Sequence, residues 1–234
     1  MKIPQTAPTK PSAPASQSVI AAARPLEHAV VPHPVELRFA RALLDLRSED
    51  LPARPDPRQR FGTHFSLSWD AKAPGFELTL EREPGALLSI RTAETGAPRR
   101  LTLLMPLGQA SFAVGDLLGL VLRTRGGDGQ EYRPVVRSTG RAQPVVTAFS
   151  STVRFGRDPQ VATVFHRVRP GEGLARLQDT HVLTLPLPSG DGVFTIVDMR
   201  LVVMRAGELA DLPHAQTAGG LGARPAAPSS NNRE

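Results

Sequence analysis

The chain has no cysteine among its 234 residues, which excludes disulfide frameworks, thiolate metal sites and thiol nucleophiles together. Aromatic residues are scarce, with one Trp, one Tyr and nine Phe. Lysine is nearly missing: Lys2, Lys10 and Lys72 are the only three, and arginine supplies the rest of the 28 basic residues. No apolar run has the length of a bilayer span, since the best one, Val19-Ile20-Ala21-Ala22-Ala23, is closed by Arg24-Pro25. Neither a secretory signal nor a membrane helix is expected, and a cytoplasmic location fits the lack of cysteine.

Cofactor and nucleophile signatures are missing as well. The sequence holds no Gly-x-Ser-x-Gly elbow, no phosphate-binding Walker loop, no Gly-x-Gly-x-x-Gly after a strand and no His-Glu-x-x-His. The six histidines stand at 28, 33, 64, 166, 181 and 214 with no i, i+2 or i, i+4 pair, so no metal and no cofactor is expected. Asp116, Asp128, Asp179, Asp191 and Asp198 fall on turns and late strands, where Asp is chiefly a turn former; an oxygen-lined calcium site is the sharper reading of the same residues. The expectation is a protein that is not an enzyme.

What is present is a pattern of period two. Phe65-Ser66-Leu67-Ser68-Trp69, Phe76-Glu77-Leu78-Thr79-Leu80, Leu101-Thr102-Leu103 and Leu183-Thr184-Leu185-Pro186-Leu187 place an apolar side chain at every second position, the pleat of a half-buried strand. Strands are predicted near 62–69, 75–81, 86–92, 100–106, 110–114, 117–125, 132–138, 144–155, 161–169, 181–187 and 193–204, separated by turns such as Arg125-Gly126-Gly127-Asp128-Gly129 and Ser189-Gly190-Asp191-Gly192. Many short strands without intervening amphipathic helices define an all-β fold, an antiparallel two-sheet β-sandwich of jelly-roll type, with a closed barrel as the alternative.

Outside the strands four segments are distinguished. Residues 1–33 form a Pro/Ala/Ser-rich arm expected to be disordered, 34–60 a helix with a Pro-rich connector, 61–206 the sandwich domain, and 207–234 a second disordered tail with a short helix candidate from Glu208 to Leu212. Pro34 suits a first helical turn, where its missing N–H costs nothing. Val35, Phe39, Ala42, Leu43 and Leu46 recur at helical spacing and predict a helix packed on the domain, with docking to a partner as the second reading.

The segment Gly115-Asp116-Leu117-Leu118-Gly119-Leu120-Val121-Leu122-Arg123, the strands 144–155, 161–169 and 183–187, and the closing Phe194-Thr195-Ile196-Val197-Asp198-Met199-Arg200-Leu201 resemble the later strands of galactose-binding-like, carbohydrate-binding-module-like jelly rolls. The resemblance covers about 120 residues and rests on pattern. It implies a non-catalytic module that binds carbohydrate or another protein. Exposed aromatic platforms, usual in the sugar-binding members, are not evident: Trp69 continues the apolar phase of Phe65 and Leu67, and Tyr132 beside the Gly-rich turn is the better platform.

Charge supplies the functional expectation. The chain carries +6, and residues 123–169 hold nine arginines against three acidic residues, an excess equal to that of the whole chain. Arginine over lysine at this ratio, with abundant Ala, Gly and Pro, reflects a GC-rich genome as readily as a polyanionic partner. On 161–169 Phe165, Arg167 and Arg169 share one phase against Val164, His166 and Val168, and on 144–155 Arg154 opposes Phe149, Val153 and Phe155. If Arg137, Arg154, Arg167 and Arg169 fall on neighbouring strands, they make with Tyr132 a site for an acidic polysaccharide, a glycan-like ligand or an acidic protein. Solvated arginines paired with nearby carboxylates are the plainer alternative. Nucleic acid is disfavoured, because no reading module and no aromatic interleaving accompany the basic residues. The competing class is a structural or adaptor module for protein–protein interaction.

Overall fold

The computed structural model describes residues 31–62, 64–70, 75–94, 100–140, 143–176 and 179–207, and one compact unit begins at Pro32. The arm, the 207–234 tail beyond its first residue, and the Glu208 to Leu212 helix candidate lie outside the described residues.

Helix α1 (Pro34–Ser48) opens as its proline suggests, with Pro34 in the first turn. The cap is a histidine. His33 Nδ1 accepts the Val35 N–H at 3.2 Å, while Glu36 reaches back to accept the His33 N–H at 2.7 Å, a reciprocal capping box. Val35, Phe39, Ala42, Leu43 and Leu46 are buried, the four larger side chains each contributing about 1.5–3 kcal/mol of burial relative to exposure.

Thirteen strands follow among the described residues: β1 (Arg60–Phe61), β2 (Phe65–Trp69), β3 (Phe76–Glu81), β4 (Leu88–Glu94), β5 (Leu101–Gln109), β6 (Leu117–Gly126), β7 (Glu131–Tyr132), β8 (Val135–Thr139), β9 (Val145–Ala148), β10 (Val153–Arg154), β11 (Gln160–Arg167), β12 (Thr180–Leu187) and β13 (Gly192–Met204). One sheet runs β1-β2-β5-β12-β8-β9 and the other β11-β6-β13-β4-β3, with β7 and β10 as a separate pair. Every pairing is antiparallel. From β4 onward the main chain crosses between the two sheets again and again: β4, β6, β11 and β13 lie in one, β5, β8, β9 and β12 in the other. This is the expected jelly-roll-like sandwich, and its core lies between inward Leu67, Leu103, Leu183 and Leu185 on one side and Ile90, Leu120, Leu122 and Ile196 on the other.

Three strand expectations are corrected. Residues 110–114 form no strand; they cross between sheets, with Phe112 buried and the chain turned by Asp116, whose carboxylate accepts the Ala113 N–H at 2.8 Å. The 132–138 run breaks at Arg133-Pro134, where proline has no N–H for a ladder. The 144–155 run also breaks, because Phe149 N–H turns to Pro134 O and Ser150 N–H to Phe165 O, two different partners.

Helix α1 fills a gap that both sheets leave. β4 pairs with β13 only as far as Ile196, and β2 with β5 only as far as Leu104. Beyond those points two strand edges would be bare. Glu36 accepts the Val203 N–H at 2.7 Å on β13, and Arg38 donates to the Leu107 and Gln109 carbonyls on β5 at 3.1 and 2.7 Å. At the other end Arg82 donates to the Leu46 carbonyl at 2.8 Å and also to that of Glu49, satisfying last-turn acceptors.

Candidate functional site

Strand register maps the outer face of the five-stranded sheet row by row. Across β11, β6 and β13 the outward rows are Val161, Arg123, Asp198; Thr163, Val121, Arg200; Phe165, Gly119, Val202; and Arg167, Leu117, Met204. Neighbouring strands lie about 4.8 Å apart and successive rows about 6.8 Å. Phe165 is 38% exposed and its ring lies over Gly119, where a Cβ would stand 2.8 Å from the ring carbon Cε1. The glycine is therefore what lets the ring rest against the sheet. Arg123, Arg167 and Arg200 are exposed around it.

The other half of this face is closed by ion pairs. Arg125 bonds Glu83 above the buried Ser89 and Thr195 hydroxyls, which meet at 3.2 Å. Arg91 bonds Glu81 at 2.9 Å, and the bond from Arg91 holds the Glu81 carboxyl below its ordinary value. Asp198 is shared by Arg200 at 3.3 Å and by Arg47 of α1 at 2.8 Å, so the helix flanks the open strip. The strip keeps a cationic surplus, with an aromatic ring in it.

The five residues expected from sequence do not share one surface. Arg167 lies on the strip just described. Arg137 points from the outer face of the six-stranded sheet, in register with Val182 and Val146. Arg154 sits on β10 and donates to the Gly129 carbonyl at 2.9 Å, beside a cavity of about 440 Å³ that it lines with Asp128 and Arg157. Tyr132 is next to it on β7, half-buried, its ring edge-on to Phe155 at 5.6 Å and its hydroxyl given to Asp128. Burial, then the Asp128 carboxylate, push its hydroxyl pKa far above the ordinary value. A tyrosine so held is a structural post more than a platform. Arg169 lines a different cleft, between β9 and β11.

The outward phases of Phe165, Arg167 and Arg154 were correctly legible. Nothing in the local pattern marks Arg123 or Arg200 as site residues. Gly119, a glycine between Leu118 and Leu120 inside a strand, carried the available signal, since it marks close approach of another group. Among the described residues no three histidine or acidic side chains converge as metal ligands would.

No protein-family model matches the sequence, and no curated protein matches it. Solved structures similar in backbone include a family 4 carbohydrate-binding module, at 12% identity and a TM-score of 0.45 over 60% of this chain and 86% of the other. Another is the family 11 carbohydrate-binding module of Clostridium thermocellum in complex with a β-1,3-1,4-mixed-linked tetrasaccharide, at 10% identity and 0.39, over 64% and 94%. A third is the enzymatically active domain of tailspike protein 4 from bacteriophage CBA120, at 10% identity and 0.42, over 61% of this chain and 20% of the other.

Proposed function

We propose that the protein is a non-catalytic binding module that takes an acidic polysaccharide on the open strip of β11, β6 and β13. The observation that carries this reading is the half-exposed Phe165 ring laid across Gly119. A sugar ring stacks its apolar face on such a surface, while Arg123, Arg167 and Arg200 stand within reach of carboxylates on neighbouring residues. Guanidinium forks favour planar carboxylates over neutral hydroxyls, which directs the reading to uronate-containing chains.

The test is affinity electrophoresis or calorimetry of the full chain with polygalacturonate, a neutral β-glucan and single-stranded DNA, at low salt and at about 150 mM, where screening lengths are near 8 Å. The expected result is polygalacturonate binding that survives salt, with Phe165→Ala and Arg167→Ala each weakening it about tenfold or more, the first through the lost stacking surface and the second through a lost charge-assisted bond. Equal retention of DNA and polygalacturonate that vanishes with salt would sink it. Leu37 and Leu44, 57% and 65% exposed on the outer side of α1, favour a second reading, an adaptor for a protein partner. In that case Leu37→Glu abolishes partner capture and leaves no glycan binding to lose.

A further inference from the structure

The outer face of the six-stranded sheet departs from the polar-out alternation usual where an antiparallel sheet meets water. Register sets Ser66, Leu104, Thr184, Val135 and Ala148 side by side in one outward row. The next row is Pro106, Val182, Arg137 and Val146, and a third holds Ser68, Thr102 and Pro186. Val146 is 61% exposed, Pro106 and Ala148 are exposed, and Leu104, Val135 and Val182 keep part of their surface in solvent. Among the described residues of β2, β5, β12, β8 and β9 this face carries one charge, Arg137, and no carboxylate; Arg60 stands at its rim on β1, in register with Ser66. On the opposite side of the sandwich, Arg91 with Glu81, Arg125 with Glu83 and Arg200 with Asp198 cover the strands. A broad apolar surface left without such pairs marks a contact with another macromolecule.

We propose that this face is the interface of a two-fold symmetric dimer with a second copy of the chain. The first argument is self-complementarity. β12 is the middle of the five strands, and a two-fold axis along it lays β8 of one copy over β5 of the other. Val135 then meets Leu104 of the second copy, Arg137 meets its Pro106, and Val182 and Thr184 on the axis meet their own counterparts. Such a contact is isologous, apolar on apolar and hydroxyl on hydroxyl, and the two Arg137 stay on opposite flanks, about 10 Å apart. A charged partner finds a single cation here. The second argument is size. Five strands at about 4.8 Å and three rows at about 6.8 Å cover on the order of 500 Å² in plan. With side-chain relief this approaches the roughly 600–1,000 Å² per partner of a standard interface. Sheets packed in this way lie about 10 Å apart with strands roughly aligned. The dimer leaves both β11-β6-β13 strips free on its two outer faces, so the proposal does not rest on the glycan reading.

The experiment is sedimentation equilibrium of the full chain without ligand, from about 1 to 100 µM. Twice the chain mass is expected at the upper end, with dissociation on dilution. Val182→Lys and Val135→Glu, both at outward positions, each weaken the dimer at least tenfold, because they bury a charge and Val182→Lys sets two like charges face to face on the axis. Mixing Val182→Lys with Val182→Glu restores a dimer, and Thr163→Lys, on the outer face of the other sheet, leaves it intact. A monomer at about 100 µM overturns the proposal, as does a dimer indifferent to both substitutions. So does a dimer lost in Leu37→Glu instead, which puts the contact on α1. A monomer whose binding of a neutral β-glucan is lost in Val182→Lys overturns it too, and gives the face to a glycan.

Discussion

Replacing Glu36 with alanine tests whether α1 is a wall of the sandwich or an appendage to it. Two backbone donors lose their acceptor in Glu36→Ala, the His33 N–H and the Val203 N–H, both now at 2.7 Å. The first is a helix-cap contact, with losses of about 0.5–2 kcal/mol on removal. The second leaves a part-buried strand-edge N–H unsatisfied, at a cost of about 1–3 kcal/mol. Together they amount to roughly 1.5–5 kcal/mol, a large share of the 5–15 kcal/mol that holds a typical domain folded. At about 2–4 °C per kcal/mol for a domain of this size, Tm falls on the order of 3–20 °C. Urea titration should show a lower midpoint with an unchanged m value, because helix and sheets melt as one unit. Glu36→Gln, which keeps one acceptor oxygen, should fall between. A loss within about 0.5 kcal/mol, the range of ordinary surface changes, would refute the edge-sealing role. So would a separate early transition with a smaller m.

Acid should destabilise the fold through two histidines. His181 is buried, its Nε2–H donated to the Ala110 carbonyl at 2.9 Å and its Nδ1 accepting from the Ser138 hydroxyl at 2.8 Å; burial holds its pKa, and that of His33, below the ordinary value. The unfolded chain then takes up protons first, so this stability is complete well above about pH 6.5 and is lost as pH falls from there toward the depressed folded values. Melting curves at several pH values from 7.5 to 5 check it, and a Tm that stays level or rises on acidification contradicts it. Two glycines should separate stability from binding. Gly126→Ala, at φ +73° with its new Cβ driven into the Val193 carbonyl, should cost at least about 1–2 kcal/mol from the left-handed backbone alone; an unchanged urea midpoint would be the wrong result. Gly119→Ala, by contrast, clashes only with the movable Phe165 ring, so polygalacturonate binding should weaken more than stability does, and unaltered binding would show that the ring's seat is irrelevant to the ligand.

The two-sheet fold, α1 with its buried face and the outward arginines of β10 and β11 were legible because each is written in local periodicity. Phe65, Leu67 and Trp69 alternate, and so do Val164, His166 and Val168; burial follows that alternation in the structure, except that Trp69 ends its strand half-buried. The breaks at Pro134 and Ser150, and the crossing at 110–116, were less legible, since apolar alternation continues through a segment after its hydrogen-bond partner has changed. Phe112 illustrates this: it sits in an alternating run, yet its ring is wedged between His33 and His181, with centroids at 5.0 and 5.7 Å. The histidine cap of α1 was hidden for another reason. His33 is not among the usual capping residues, and only the Glu three positions on signalled a box.

The arginine excess shows why a site could not be located the same way. In a jelly-roll-like chain consecutive strands change sheets, so a charged stretch continuous in sequence is divided over opposite surfaces. Arg123 and Arg167 reach the outer face of the five-stranded sheet, Arg137 that of the six-stranded sheet, Arg133 and Arg169 the β9/β11 cleft, and Arg154 and Arg157 the cavity beside the Gly129 turn. The residues that do become neighbours come from positions near 120, 165 and 200, which only strand order brings together. In such a fold the informative sequence signal for a surface is not charge density along the chain. It is the irregular residue inside a regular strand, here Gly119, whose missing side chain has to be explained by what lies over it.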